Sequence, residues 1–309
     1  MPAPAPFPIQ PDLTAIAIAY RNGKMVADEV LPRVPVGKQD FKYLLHNLAD
    51  GFTIPDTAVG RKSQPNQVEF TATEVTASTE DHALDAMVPQ ADIANAPVNY
   101  NPLGRAVEGV QNLIALDREV RVSNLVFGAA NYAATNKVTL SGASLFTDPT
   151  SNPQALIQDA ADSMILRPNV MVLGRRAFTV LSRHPAIVKA FHGNAGDGGV
   201  ASRQFIADLF EMDKVIVGEA RVNTARKGQA ATLARAWGNH IALLVQDSHS
   251  DTMSGTATFG LTAQFGDRVA GAMPNPNIGM RGGQQVRSGE SVKELITAPD
   301  LGYLIQNVG

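Results

Sequence analysis

The first hundred residues constrain the fold most, because they favour extended backbone and contain only scraps of helical periodicity. Five prolines within residues 1–11 exclude a helix or a central strand and predict an extended, polyproline-like arm. A short apolar run from Leu13 to Tyr20 is interpreted as a single helical segment, and Val34-Pro35-Val36 then returns the chain to an extended path. A front of this kind has to lie against another surface, and we expect that surface to belong to another copy of the chain.

Residues 40–88 are predicted to form a long two-stranded excursion. The returning strand is the clearer one, because apolar and polar side chains alternate from Val68 to Thr73 with the period of two that a half-exposed strand has. An isolated two-stranded hairpin is marginal in water, so this one needs support from a neighbour. The polar tip at 60–66 carries two basic residues, which serve either loop solubility or pairing with a neighbour's carboxylates. The residues of this excursion that we expect to make assembly contacts are Phe52, Arg61, Lys62 and Phe70.

A long helix is predicted to begin at Asn101-Pro102, where an N-cap asparagine is followed by proline at the first helical position. Apolar side chains continue with helical spacing to about Tyr132, which corresponds to a rod of ~45 Å at ~1.5 Å per residue. Four charged residues at 117–121 interrupt the apolar face. We favour a solvated charge cluster here; the alternative is an inter-subunit contact through Arg118.

The remaining chain alternates between helix and strand and then returns to strands. Helices are predicted over 152–166, over 175–191 with a break at His184-Pro185, and over 202–212, with buried strands at 169–173, 214–217 and 240–245. Strands are expected again at 256–265 and 284–297. Turns are expected at 274–277, 281–283 and 288–289.

The sequence contains no catalytic constellation that stands out. There are no cysteines, so disulfides, zinc–thiolate sites, iron–sulfur clusters and cysteine nucleophiles are excluded. The glycine-rich run at 193–199 lacks the ending of a P-loop and follows a predicted helix, so we interpret it as a flexible loop. The histidines have no metal-binding spacing, and Asp247–Asp251 is interpreted as a polar loop. We therefore predict a protein that is not an enzyme and has no cofactor or metal.

Charge and hydropathy limit the partners. The net charge is −3 without a strongly basic stretch, so tight binding to nucleic acid is not expected. The sequence contains no run of about 18 apolar residues, so no membrane span is predicted. The first residues lack the pattern of a signal peptide. Hydrophobic residues make up 44% and charged residues 18%, which favours a surface that is partly covered by other subunits.

The order of elements, from extended arm through hairpin, long helix and α/β module back to strands, resembles the major capsid proteins of tailed bacteriophages with the Hong Kong 97-type fold. Several short stretches are similar to coat proteins of Pseudomonas-type phages. These stretches are Thr14 to Tyr20 with Val30-Leu31-Pro32, Ser78-Thr79-Glu80-Asp81, Asn101-Pro102-Leu103-Gly104-Arg105 and Phe265-Gly266-Asp267-Arg268-Val269. The resemblance covers essentially the whole chain.

The resemblance implies an α+β fold of four parts. These are an N-terminal arm (1–39), an extended loop (40–88), a peripheral domain with a long spine helix (89–132 and 256–309) and an axial domain (133–255). It places the 193–199 loop, with Gly196 and Gly198, near the centre of each pentamer or hexamer, and we add Arg281 as an assembly contact.

The resemblance also implies partners and a location. The subunits would form an icosahedral head around double-stranded DNA, held by non-specific contacts, in a virion assembled in the bacterial cytoplasm. A portal protein and a possible decoration protein are also implied. A separate scaffolding protein is expected, because the arm begins near Met1 without a long charged helical prelude. Two alternatives stay open: a cellular, encapsulin-like nanocompartment shell, and an α/β enzyme that binds a phosphorylated ligand at 193–199.

Overall fold

The computed structural model describes residues 25–46, 48–69, 71–97, 100–192, 198–247 and 257–309. The predictions for residues 1–24 lie outside this part. The described helices are α1 (Ala27–Val30), α2 (Leu48–Phe52), α3 (Gln90–Ala94), α4 (Pro102–Val126), α5 (Pro153–Asp162), α6 (Arg175–Arg183), α7 (Pro185–His192) and α8 (Arg203–Leu209). The strands are β1 (Arg33–Val36), β2 (Asp40–His46), β3 (Ala72–Ser78), β4 (Glu80–Pro89), β5 (Lys137–Thr139), β6 (Val170–Gly174), β7 (Lys214–Gly218), β8 (Arg221–Asn223), β9 (Leu233–Arg235), β10 (Ile241–Leu244), β11 (Gly260–Asn275), β12 (Gly283–Ile296) and β13 (Gly302–Gln306).

The long helix α4 begins where the sequence predicts it. The side chain of Asn101 accepts a hydrogen bond from the Gly104 N–H at 3.1 Å, and Pro102 occupies the first turn. The helix ends at Val126, so the prediction that it continues to Tyr132 is wrong. The side chains of Asn131 and Tyr132 turn back and donate to the carbonyl oxygens of Leu125 and Val126, at 2.7 and 2.6 Å, which satisfies the end of the helix.

A four-stranded sheet with the order β1-β11-β12-β4 lies against α4. The long strands β11 and β12 form an antiparallel hairpin, β1 pairs with β11 in parallel, and β4 pairs with β12. The predicted turn at Ser288-Gly289 is wrong, since both residues lie within β12 and pair with β11 and β4. The ladder to two neighbours outweighs the local turn preference of a Ser-Gly pair.

A five-stranded sheet with the order β5-β13-β10-β6-β7 forms the larger core. Alternate side chains of β6 and β10 pack under helices α5 to α8 on one face, and against the end of α4 and α1 on the other. Because both faces are covered, these strands are apolar throughout, as the sequence predicts for 169–173 and 240–245. The predicted break between two helices at His184-Pro185 is confirmed, as is the Ser202 cap of α8.

The hairpin of β2 and β3 is present, but it is shorter than the sequence suggests. The returning strand begins at Ala72 rather than Val68, and residues 80–88 pair with β12 in the four-stranded sheet instead. Phe41 at the base of the hairpin packs on Val34 and Val36 of β1 and on β11, which anchors the ladder to the body. Residues 53–69 contain no helix or strand and are exposed.

Trp237 is the largest fully buried side chain, and its indole ring packs against the backbone of Gly218. A Cβ atom at Gly218 would come within 2.1 Å of the indole ring. Glycine is therefore required at the end of β7, because only the bare backbone leaves space for the ring.

We predict opposite effects for two glycine-to-alanine substitutions. Gly218→Ala should destabilise the subunit by about 1–3 kcal/mol, because the added methyl group overpacks the site. Gly109→Ala lies in α4 with open space around it and should stabilise by about 0.5–1 kcal/mol. Urea unfolding of the unassembled subunit, followed by tryptophan fluorescence, measures both. Equal midpoints for the two variants would contradict the packing argument.

Candidate assembly surface

A cluster of charges joins the N-terminal segment to α4 and to the four-stranded sheet; the side chains of Arg118, Glu290 and Glu294 are buried in it, whereas that of Asp28 is 41% exposed. Arg118 is 2% exposed; its guanidinium forms an ion pair with Asp28 and donates to Thr262 Oγ1 at 3.0 Å. The favoured prediction of a solvated cluster is therefore wrong at this position. Arg118, expected as an assembly contact, is enclosed by its own chain.

The same cluster extends along β1 and β12. Arg33 contacts Asp28 at 2.7 Å and Glu290 at 2.9 Å, and Arg268 donates to Glu290 at 2.9 Å from the bulge in β11. We call the set the arginine–carboxylate cluster, and its members are Asp28, Arg33, Arg118, Arg121, Arg268, Glu290 and Glu294.

The electrostatics of this cluster favour ionised carboxylates. Burial by itself raises the pKa of Asp28, but Arg118 and Arg33 outweigh it and lower the value to about 2 from 3.8. Burial likewise opposes ionisation of Glu290, yet Arg33, Arg268 and Arg118 hold its pKa below the ordinary value. The ion pairs therefore persist at neutral pH and fix the start of β1 on the sheet.

Glu119, the next residue of α4, faces a different environment. It is fully buried and accepts hydrogen bonds from the backbone N–H groups of Val26 and Ala27, at 3.0 and 2.9 Å, and from Trp237 Nε1 at 2.6 Å. Burial raises its pKa, while these donors act in the opposite direction. One carboxylate thus ties the N-terminal segment, the long helix and the larger core together. For Glu119 too the solvated interpretation is wrong.

The distal part of the hairpin carries apolar side chains that the chain does not bury. Ile54 is 93% and Phe52 63% exposed, and Val59 and Val68 are also exposed. Phe52, one of the residues expected to make contacts, therefore lies on a projecting segment. Exposed apolar groups of this size on a projection are typical of a surface that another subunit covers.

Two of the expected basic contacts lie on this projection. Arg61 and Lys62 occupy a turn at its tip, where Ser63 N–H donates to the Gly60 carbonyl at 3.0 Å. Neither side chain forms an ion pair within the described part of the chain. The other expected contacts are scattered: Arg281 and the 92% exposed Met280 lie in the turn between β11 and β12, Gly198 is exposed ahead of α8, and Phe70 and Gly196 lie outside the described residues.

A second exposed surface lies where α3 meets the start of α4. A groove of about 490 Å³ is lined by Met87, Asp92, Tyr100 and Arg105 among others. Met87 and Tyr100 are more than half exposed. Together with the distal hairpin, this groove leaves apolar side chains exposed on the subunit.

Other kinds of site find little support. Within the described ranges, no group of three or more His, Asp or Glu side chains could hold a metal ion. No described helix is long and apolar enough to cross a membrane.

The sequence did not identify Asp28 and Glu119 as structural centres. Their partners lie about 90 residues away along the chain, so spacing gives no sign of the contact. The one available signal was an adjacent Arg-Glu pair that interrupts the apolar face of the helix, since buried charges are costly unless both find partners.

Comparison with curated sequences relates the chain to phage structural proteins. It is 63% identical over 98% of its length to the major capsid protein of Pseudomonas phage JBD67, and covers 98% of that protein. It is 24% identical to the major capsid protein of Burkholderia phage BcepMu, with 97% of this chain and 96% of the relative covered. No family model matches the chain.

Solved structures share the fold. A phage-related protein from Bordetella bronchiseptica RB50 superposes with a TM-score of 0.73 at 23% identity, with 97% of each chain covered. The capsid protein of cyanophage P-SCSP1u has a TM-score of 0.60 at 11% identity, covering 93% of this chain and 89% of its own. A Synechococcus elongatus encapsulin has a TM-score of 0.50 at 11% identity, covering 97% and 96%.

We predict that Glu119→Ala destabilises the subunit by roughly 3 kcal/mol or more, because three buried donors lose their acceptor at ~1–3 kcal/mol each. Glu119→Gln should lose less, since one carbonyl oxygen remains. Glu108→Ala, a partly exposed glutamate on the same helix, is the matched control and should stay within ~0.5 kcal/mol. Urea unfolding measures all three. A Glu119→Ala variant as stable as the control would contradict the role assigned to this carboxylate.

A pH dependence follows from the lowered pKa of Asp28. Its folded value of about 2 lies below the ordinary 3.8, so the ionised form stabilises the fold above pH 3.8 and this contribution is lost as the pH falls towards 2. Glu119 acts in the opposite sense because its pKa is raised in the folded state. Its contribution to the free energy of unfolding is present at low pH and is lost as the pH rises through that raised pKa. Asp28→Asn should therefore flatten the loss of stability between pH 3.8 and 2 in urea titrations, whereas Asp117→Asn, an exposed partner of Arg121, should follow wild type. Identical pH profiles for wild type and Asp28→Asn would contradict this assignment.

Proposed function

The chain belongs to the bacteriophage major capsid proteins, and from this we propose that it assembles as pentamers and hexamers into an icosahedral head around phage double-stranded DNA. It is a structural component of the virion rather than an enzyme. Its α+β fold is that of the Hong Kong 97-like phage capsids.

The observation that carries the assembly proposal is the unburied distal hairpin. Residues 52–69 project from an anchored two-stranded ladder and expose Phe52, Ile54 and Val68. Apolar side chains of this size gain free energy when covered, at about 25 cal/mol per Å² of apolar surface. Since the chain itself does not cover them, we propose that the hairpin clamps an adjacent copy. Arg61 and Lys62 at the tip would pair with carboxylates there.

The division into parts is also a proposal. We assign residues 1–39 to an arm, 40–88 to the extended loop, 89–132 with 256–309 to a peripheral domain and 133–255 to an axial domain. The two separate sheets support a division into two such parts, because the β11–β12 sheet packs on α4 whereas the β6–β10 sheet packs under α5 to α8. The last strand, β13, belongs to residues 256–309 but pairs with β10 and β5 in the second sheet. Gly196 and Gly198 would lie near the capsomer centre, and Arg281 would contact a neighbour.

The remaining partners are proposed from the family. They are a separate scaffolding protein, a portal protein and a decoration protein, with assembly in the host cytoplasm. Packaged DNA would be touched without sequence preference. Many weak contacts for each subunit add up to a durable shell, which is why no single interface needs to be strong.

A cellular nanocompartment is the competing interpretation, because encapsulins share the fold. That likeness, at 11% identity, concerns the fold alone. The relative at 63% identity is a phage protein, which favours a phage head. The phosphate-binding enzyme would use the loop 193–199, of which residues 193–197 lie outside the described residues.

Deletion of residues 55–68 tests the clamp. The two sides stay close without the tip, because Asp50 accepts the Thr71 N–H at 2.6 Å, so the shortened loop can close. We expect a folded subunit that forms no closed shells in sedimentation velocity and negative-stain images. Wild type, expressed with its neighbouring phage genes, should give shells of uniform size or pentamers and hexamers.

Two matched double variants separate loss of the apolar contact from damage to the loop. Ile54→Ser with Phe52→Ser should weaken assembly, whereas Thr53→Ser with Gln64→Ser on the same segment should not. Normal shells from the deletion variant would rule out the clamp. A persistent monomer of the wild-type chain would rule out the proposed assembly itself.

A further inference from the structure

The strands β8 and β9 form a small exposed ribbon, residues 221–235, which we call the basic ribbon. It carries Arg221, Arg226, Lys227 and Arg235, and no acidic residue occurs between Ala220 and Gln246. The net charge of the whole chain is −3, so this positive density is local. All four basic residues are exposed.

The pairing within the ribbon places two positive charges side by side. Arg221 lies directly opposite Arg235 in the antiparallel ladder. Like charges in that arrangement destabilise a ladder. Neither guanidinium forms an ion pair within the described part of the chain. An anion from outside would remove this repulsion.

A groove next to the ribbon concentrates the charge further. It has a volume of about 570 Å³, and Arg175, Arg221 and Arg235 all line it. Glu219 is the one carboxylate among its described lining residues and contacts Arg175 at 3.0 Å. Arg175 is also the first residue of α6, where the helix dipole adds partial positive charge.

Several arginines elsewhere are paired within the described part of the chain, although Arg61 and Arg281 are not. Arg33, Arg118, Arg121, Arg268 and Arg287 each pair with a carboxylate of their own chain. The ribbon keeps four cations without such partners, close together and in solvent. What distinguishes the ribbon is the closeness of its four cations, which offers a local positive surface to an anion from outside the chain.

We propose that the basic ribbon and its groove bind the phosphate backbone of double-stranded DNA without sequence preference, which rests on the proposed role in a DNA-filled head. The ribbon contains no aromatic residue for stacking on bases, and its Thr224, Gln229 and Thr232 side chains suit phosphate oxygens. The phosphates of a duplex repeat closely enough to neutralise all four cations at once. A few contacts for each subunit keep the binding weak, in agreement with the absence of a long basic stretch.

The test measures the salt dependence of DNA binding by the unassembled full-length chain. Fluorescence anisotropy with two unrelated duplexes of about 30 base pairs, between roughly 25 and 200 mM NaCl, gives the slope of log K against log salt. The variant combines Arg221→Gln, Arg226→Gln, Lys227→Gln and Arg235→Gln. We expect its slope to be shallower by roughly 3 and its affinity at low salt to fall about tenfold or more, equally for both sequences.

A control variant carries the same loss of charge at other exposed sites, through Lys38→Gln, Arg61→Gln, Lys62→Gln and Arg281→Gln. It should keep the wild-type slope. Equal losses in both variants would overturn the proposal, because net charge alone would explain them. Circular dichroism checks that the ribbon variant is folded. If it is not, the single variants Arg226→Gln and Lys227→Gln, in the loop between the strands, give the same comparison.

Two further outcomes bear on the partner. If a glutamate-rich peptide binds the ribbon as tightly as the duplex does, and loses affinity in the same variant, the ribbon is a protein contact and the DNA proposal fails. Shell formation is scored separately by sedimentation. Ribbon variants should still form shells, so absence of wild-type shells would refute the assembly proposal, whereas an unchanged DNA slope would refute only this one.

Discussion

The position of the N-terminal segment depends on charges that α4 buries. Arg118 and Glu119 are adjacent on the helix and point to different partners, one to Asp28 and Thr262, the other to the backbone of Val26 and Ala27. Taking two charges out of water is expensive, and each is compensated only if its partners keep their places. The helix, the first described residues and the four-stranded sheet therefore depend on one another for their positions.

This arrangement explains why the chain can build a long projection on a small base. The strand β1 has only four residue pairs with β11, which by itself is a weak attachment. Arg33 is the first residue of that strand and forms ion pairs within the arginine–carboxylate cluster. Phe41 packs underneath the ladder that follows. Polar and apolar contacts thus hold the same base from two sides, and the distal segment extends from it into solvent.

Local signals in the sequence were reliable where a side chain acts on its own backbone. The Asn101-Pro102 start of α4, the Ser202 cap and the break at His184-Pro185 all depend on residues within one turn, and all three are present. Ser288-Gly289 failed because pairing with two distant strands decided its conformation. Arg118 failed for the same reason: its partner Asp28 lies 90 residues away, and no spacing rule reaches that far. Of the candidate site, the sequence identified the projection but not the cluster that holds it.

The hairpin of β2 and β3 connects the two outer strands of the four-stranded sheet, since β1 precedes it and β4 follows it. A pull on the projection by a neighbouring subunit therefore loads both edges of the sheet at once. On one side ten residue pairs between β4 and β12 share the force, and on the other only four pairs do. The side with fewer residue pairs is also the side where Arg33 and Arg118 form ion pairs with Asp28, and these ion pairs add to its attachment. In a closed shell, part of the load from internal pressure would pass through the Asp28 ion pairs into α4.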